Sequence, residues 1–339
     1  MASLKTPLCS TLGIEHPIVQ APVGSVSCPA LAAAVADAGG LGTLAVSWRD
    51  PKETRAVIAE TAARASGPVA ANVVLDERGA AVDPDTLLDV VLDSDADAVS
   101  LSFGDPGEYV ERCLDAGKTT LVTVGTADDA RAAAEAGADV VVAQGWESGG
   151  HLQSDVATMA LVPAVADAVP DTPVVAAGGI GDGRGVAAAL ALGADGVWLG
   201  TRFVATAEAN AHPRYYDELA DASETETRRS QLFDGGWPGR DHRTLENGAV
   251  RSWERAGEPP SGERPGEGET IAETPDDETV ERYSDLPPLP GMDEAVDDLP
   301  QYAGQSAGLT DGIESAGDVV EELVAEASTA LEATADRRA

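Results

Sequence analysis

Residues 174–201 read VVAAGGIGDGRGVAAALALGADGVWLGT. An apolar run, Val174–Ala177, ends in a glycine turn. A helical Ala-rich segment, Gly183–Leu192, follows and stops at Gly193. A second apolar run, Gly196–Leu199, ends in a second turn, Gly200-Thr201. Glycine just past a helix supplies the left-handed backbone that ends it. Near-continuous apolar strands joined by a helix predict a parallel sheet buried on both faces.

The same unit recurs upstream. Strands are predicted at Pro17–Ala21, Leu41–Val46, Val69–Val74, Ala98–Leu101, Thr120–Val124 and Val140–Ala143, before the two already quoted. Helical segments alternate with them, and Gly39, Gly117 and Gly137 are further stops. Eight such repeats within about 200 residues imply a TIM (β/α)8 barrel, an α/β fold. An open doubly wound sheet is the competing fold, but the first strand ends in Gln20-Ala21-Pro22-Val23-Gly24, which is no dinucleotide fingerprint. The predicted organisation is a barrel over 1–212, an acidic insertion or lid over 213–300, and a returning segment over 301–339. The eighth helix is expected to begin near Thr206 or Pro213. A last helix is expected over Gly312–Ala335, with Ile313, Val319, Val320, Leu323, Val324, Ala327 and Leu331 as its docking face. Residues 255–300 are rich in Pro, Gly and Glu without periodicity, a composition of disorder or of an irregular lid.

Charge narrows the function classes. The chain carries 59 acidic and 22 basic residues, a net charge of -37, and its lysines are Lys5, Lys52 and Lys118. Such a surface repels nucleic acid and anionic membranes, so neither is an expected partner. It also repels itself unless salt screens it, which points to a salt-rich cytoplasm as in halophilic archaea. An acidic interaction tail is the rival explanation, since 254–298 is acid-rich. No apolar run is long enough for a membrane span, and Met1-Ala2-Ser3-Leu4-Lys5 lacks a secretory pattern, so the cytoplasm is the expected location. Cys9, Cys28 and Cys113 are too scattered for a disulfide framework or a zinc site, and no metal is expected.

Barrels bind ligands at the C-terminal ends of their strands, and three glycine turns fall there. Gly178-Gly179 and Gly200-Thr201 end adjacent strands. Together with the N-terminus of the helix after strand seven they form a predicted phosphate site. The third turn, residues 144–151, reads QGWESGGH and places His151 as a candidate proton acceptor. Asn72, polar inside an apolar strand, needs partners and is a candidate ligand contact. Gln144 either meets the ligand or caps the turn. Glu147 has three open roles: orienting His151, binding a backbone N–H or facing solvent. Arg240 and Tyr302 are candidate lid residues, and His16, His212 and His242 read as structural or surface residues.

These motifs carry a resemblance. The chain resembles the nitronate monooxygenases, formerly called 2-nitropropane dioxygenases. The resemblance runs from Pro17-Ile18-Val19-Gln20-Ala21-Pro22 through Asn72, Gln144–His151, Gly178-Gly179-Ile180 and Gly196–Phe203, then Pro238-Gly239-Arg240 and Ala303-Gly304-Gln305. It implies FMN, with its phosphate on Gly178, Gly179, Gly200 and Thr201 and its ring near Ala21, Pro22 and Val23. Asn72 and Gln144 would bond the ring or ribityl chain, and Gly149 and Gly150 would permit close approach. His151 would be the catalytic base toward a nitroalkane, with O2 as the co-substrate. Two departures stand out: Val23 where the family often has Met, and Ser148 where it commonly has Ala. The alternatives are an FMN-dependent NAD(P)H reductase of quinone or enoyl-thioester type on the same barrel, or a non-catalytic flavin-binding scaffold. A homo-oligomer is compatible with the sequence, which does not specify the oligomeric state.

Overall fold

The computed structural model describes residues 4–292, 296–310 and 312–337; Met1–Ser3 of the leader reading lie outside the described residues. Eight parallel strands form one sheet: β1 Ile18–Gln20, β2 Gly42–Ala45, β3 Val69–Val74, β4 Ala98–Ser102, β5 Thr119–Val124, β6 Val140–Gln144, β7 Val174–Ala177 and β8 Gly196–Leu199. Sequence neighbours pair in order, and β8 pairs with β1 (Val19 opposite Trp198). The Leu41 N–H donates to the Ile18 carbonyl (3.0 Å) and the Gln20 N–H to the Leu41 carbonyl (2.9 Å), which joins β1 to β2 and closes the barrel. The fold is therefore the predicted TIM barrel, with strand boundaries within a residue or two of the apolar runs.

Alternation sorts each strand's side chains. Val19, Ala70, Leu121, Val140, Val142, Val175, Ala177 and Trp198 fill the barrel interior, closed below by Leu8 and Leu12 of the helix Pro7–Leu12. The other parity, such as Ala71, Val73, Val99, Val141 and Val197, packs under the helices. Asn72 shares the interior parity of Ala70, one level nearer the C-terminal mouth, and Gln144 shares that of Val140 and Val142. That is how polar residues in apolar strands reach a ligand site.

The outer ring comprises α1 Pro29–Asp37, α2 Pro51–Arg64, α3 Pro84–Leu92, α4 Gly107–Asp115, α5 Ala127–Glu135, α6 Thr158–Ala168, α7 Gly183–Ala191 and α8 Ala316–Asp336. Some of the acidic charge acts locally: Asp50 and Glu53 form a capping box on α2, and Asp83 and Asp182 cap α3 and α7. The four glycine stops all have left-handed φ, from 70° to 100°.

The ring position between α7 and α1 corrects one expectation. A helix does form at Pro213–Asp221, but α8 fills that position. Its apolar stripe of Val319, Val320, Leu323, Val324 and Ala327 is buried. Gly183 of α7 lies so close that a Cβ there would stand 2.2 Å from the Glu326 Cβ. Glu326 Oε2 accepts the Gly183 N–H (2.9 Å), and buried Arg202 pairs with Glu314 and Glu322. Ile313, assigned to this face from sequence, precedes the helix and is 52% exposed.

The segment between Val204 and α8 sits over the site and is not wholly irregular. Strands Thr227–Ser230 and His242–Leu245 pair antiparallel, and the second pairs in turn with Gly150–His151 of the β6 loop. A helix, Gly248–Arg255, and a hairpin, Thr270–Glu273 with Thr279–Glu281, complete it. Strands of three or four residues are too short for periodicity to reveal. Among the described residues no helix is long and apolar enough to cross a membrane.

Candidate active site

A cavity of about 340 Å³ opens at the C-terminal mouth of the barrel. That is within the range of small-molecule sites. Every residue of the predicted set lines it: Ala21, Pro22, Val23, Asn72, Gln144, Gly149, Gly150, His151, Gly178, Gly179, Gly200 and Thr201. The structure also brings in Phe103, Ser148, Trp237, Asp285 and Tyr302.

The anion cradle rests on β7 and β8. Gly178 and Gly179 have φ of 102° and 72°, which turns the chain sharply at the strand end. Among the described residues no group accepts from the N–H of Gly179, Ile180 or Thr201. Ser148 Oγ is buried beside Gly178 without a partner. The Thr201 hydroxyl accepts the Gly304 N–H (2.9 Å) and keeps its own hydrogen to donate. Unpaired donors on two glycine turns fit the phosphate of a bound cofactor. The N-terminus of α7, expected to help, is not part of this cradle. Its donors are already taken, Gly183 N–H by Glu326 and Gly185 N–H by Asp182 (3.0 Å).

Polar side chains brace the mouth. Asn72 Nδ2 donates to Ser100 Oγ (3.0 Å) and toward Ser102 Oγ (3.3 Å). Gln144 Nε2 donates to the His151 carbonyl (3.0 Å), and its Oε1 accepts the Gln153 N–H (2.9 Å). Gln144 thus spans the turn as well as lining the cavity. Gln20 does similar work on β1: its Oε1 accepts the Thr43 N–H (2.9 Å) and its amide reaches Ser27 Oγ (3.1 Å). Gly149 owes its missing Cβ to the returning segment, since a Cβ there would lie 2.5 Å from the Ala303 carbonyl carbon and the Gly304 nitrogen. Gly150, with φ of 71°, faces open space.

His151 makes no side-chain hydrogen bond among the described residues, and its Nε2 is buried without a partner. Rings hold it instead. Trp237 lies over it at 4.6 Å between centroids, with His242 and Tyr302 at 5.6 Å. Glu147 does not orient it; the Glu147 carboxylate accepts the Thr158 N–H (2.8 Å) and hydroxyl (2.9 Å) at the start of α6. Burial, then His242 and Arg240, lower the His151 pKa to about 3. The imidazole is therefore neutral at neutral pH.

Sequence reasoning placed His242 outside the site. It is fully buried opposite His151 in the ladder. His242 Nε2 accepts the Phe233 N–H (3.2 Å), so its proton is on Nδ1, facing the Arg240 carbonyl (3.2 Å). Burial lowers its pKa to about 4. Trp237 was also missed. Its indole N–H donates to Asp76 (3.2 Å), which also binds Arg240 (2.7 Å), and Gly79 lies flat beneath the ring. Hydrogen bonds from Arg78, Arg240 and Trp237 hold the Asp76 carboxyl far below its usual range. His212 caps the helix Pro213–Asp221 by accepting the Arg214 N–H (3.1 Å), a structural role as read.

Two neutral buried histidines make stability pH-dependent. Their folded pKa values lie below the unfolded value of about 6.5, so the unfolded chain binds protons that the native chain refuses. Stability is expected to fall as pH drops from 6.5 toward 4, by up to about 1.4 kcal/mol per pH unit for each histidine. Denaturant midpoints in molar KCl at pH 7, 6 and 5 test this; equal midpoints at pH 7 and 5 would contradict it.

Comparisons with known proteins agree with this geometry. The profile of the nitronate monooxygenase family matches residues 5–326. A Rhodococcus jostii enzyme, (3aS,4S,5R,7aS)-5-hydroxy-7a-methyl-1-oxo-octahydro-1H-indene-4-carboxyl-CoA dehydrogenase, is 38% identical over 257 residues, 76% of this chain and 70% of its own length. A nitronate monooxygenase of Pseudomonas aeruginosa is 38% identical over 251 residues, 61% of this chain and 71% of its own. The solved nitroalkane oxidase of Streptomyces ansochromogenes superposes with a TM-score of 0.76 at 31% identity, covering 96% of this chain and 99% of that one.

Proposed function

Because the chain belongs to the nitronate monooxygenase family, and so is an oxidoreductase acting on a small molecule, we propose that it uses FMN and O2 to oxidise alkyl nitronates, including those it forms from nitroalkanes. One observation carries this reading. An unbonded, neutral imidazole, His151, lines the same cavity as a glycine cradle of unpaired donors. The cradle of Gly178, Gly179, Gly200 and Thr201 would hold the phosphate. Ala21, Pro22, Val23, Asn72, Gln144, Gly149 and Gly150 would hold the rest of the cofactor. Bound FMN supplies the electron acceptance from the nitronate and the transfer to O2.

The chain's own part is proton transfer and enclosure. Neutral His151 accepts the α-proton of a nitroalkane. In a desolvated site the resulting imidazolium is stabilised mainly by the nitronate anion beside it, which keeps the two together. Trp237 and Tyr302 shield the ring from water, and residues 213–300 act as the lid. A substrate supplied as nitronate needs no base. The acidic surface supports a cytoplasmic, salt-adapted enzyme.

A second reading is an FMN-dependent NAD(P)H reductase of enoyl-thioester type; the Rhodococcus relative, named as a carboxyl-CoA dehydrogenase, favours a thioester substrate. The holoenzyme in molar KCl separates the two without oxygen. Ethylnitronate is expected to bleach the bound flavin within the turnover time, and NAD(P)H only slowly. Rapid bleaching by NAD(P)H would replace the first reading with the second.

A further inference from the structure

Asp285 is the cavity's unassigned ionisable group. It comes from the lid, two residues after Tyr283, a non-glycine residue with φ of 72°. The Tyr302 hydroxyl donates to the Asp285 carbonyl (2.8 Å) and fixes this backbone beside the ring that flanks His151. Gly236, next to Trp237, makes room for the carboxyl; a Cβ at Gly236 would stand 2.2 and 2.4 Å from its two oxygens. Among the described residues the only hydrogen bond those oxygens accept is from the Asp285 backbone N–H, and no cation stands within salt-bridge distance. Every other carboxylate near the site is engaged: Asp76 with Arg78 and Arg240, Glu147 with Thr158, Asp241 with Arg229.

We propose that Asp285 is a specificity-determining residue that selects substrates by charge, favouring neutral nitro compounds over preformed anionic nitronates. The inference rests on the nitronate-oxidising reading of the same cavity. A carboxylate without a cationic partner on the wall of a partly desolvated cavity repels an anion; its protonated form donates a hydrogen bond to an oxygen of the same anion. Burial raises the Asp285 pKa, so the change from donor to repeller falls above the usual carboxylate range. The other titratable groups lining the same cavity are Tyr302 from the returning segment and His151 from the β6 loop, with His242 packed against both rings; Asp234, Arg264, Glu267, Glu278, Glu281 and Arg282 line a second cavity that Asp285 also borders. Burial moves the Tyr302 pKa well above 10, and the two histidines titrate near 3 and 4. None of these three changes charge between pH 5 and 9.

The test uses the flavin-loaded enzyme in molar KCl from pH 5 to 9. Nitrate, a planar anion of nitronate shape, is titrated against the bound flavin's absorbance, and KM is measured for ethylnitronate and nitroethane. In the wild type, anion binding is expected to weaken about tenfold with rising pH, the scale of one like-charge contact at intermediate dielectric. Asp285→Asn is expected to tighten anion binding at high pH and flatten the profile, leaving the nitroethane KM unchanged; Asp285→Ser serves if Asn disturbs flavin retention. Parallel nitrate profiles in wild type and variant overturn the proposal. If neither protein turns over ethylnitronate but the nitrate profiles differ, the charge filter stands and the nitronate reading falls.

Discussion

Replacing His151 with Asn is expected to lower kcat/KM for neutral nitroethane by about 10²–10⁴-fold, the usual contribution of a general base. Turnover of preformed ethylnitronate is expected to stay within about tenfold of wild type, because that substrate carries no proton for the base to remove. The split between the two substrates is the informative result. A general loss on both would mean that the ring mainly positions Trp237 and the β6 loop. The geometry favours the split. The imidazole makes no hydrogen bond that its removal would orphan, and the turn's backbone is held by Gln144 rather than by the ring. The pH profile gives a second check. Because His151 is held neutral down to about pH 3, the wild-type nitroethane rate has no acid limb near pH 6.5, where an exposed histidine would place one.

Transfer from molar KCl into dilute buffer is expected to unfold the protein, and returning the salt to restore it. With 59 acidic residues against 22 basic ones, self-repulsion is the dominant long-range term. Repulsion between charges reaches about 3 Å at 1 M salt but about 10 Å at 0.1 M. The structure indicates where release begins. A groove in the lid gathers Glu218, Asp221, Glu226, Glu246, Asp297 and Asp298 around Arg251. Glu218 and Asp221 belong to the helix Pro213–Asp221, Glu226 and Glu246 sit just before the strand Thr227–Ser230 and the helix Gly248–Arg255, and Asp297 and Asp298 lie in the turn Val296–Asp298. The lid should therefore loosen before the barrel. Flavin fluorescence, which rises on release, is expected to change at a higher salt concentration than the far-UV signal of the helices. Identical melting temperatures from about 0.05 to 2 M KCl, across the range where screening changes most, would refute the salt-adapted reading.

Legibility in the sequence followed interaction range. The barrel strands bury both faces, so each appears as an apolar run, and their order follows from the helices between them. The glycine cradle was readable because left-handed turns demand glycine. Asn72 stood out because an amide in the run Val69–Val74 must have partners. His242 and Trp237 did not stand out. Their place beside His151 depends on pairing across some ninety residues, between a two-residue and a four-residue strand. Asp285 was one acid among 59. Only the folded lid distinguishes a carboxyl without a cationic partner on a cavity wall from a solvated one. The eighth ring helix was misplaced because Pro213–Asp221 is a well-capped helix; what excludes it is the longer apolar stripe of α8.

The placement of α8 also bears on how the molecule is made. A ribosome finishes the eighth strand at Leu199, yet the helix that seals the ring between α7 and α1 is complete only at Asp336. At usual elongation rates that interval lasts roughly 7–27 s. Throughout it the flanks of α7 and α1 wait uncovered, and Arg202 has yet to meet Glu314 and Glu322. The nascent barrel is thus an open cylinder wall for much of its synthesis, and the segment carrying α8, which emerges long after the eighth strand, is the one that commits it to the native state.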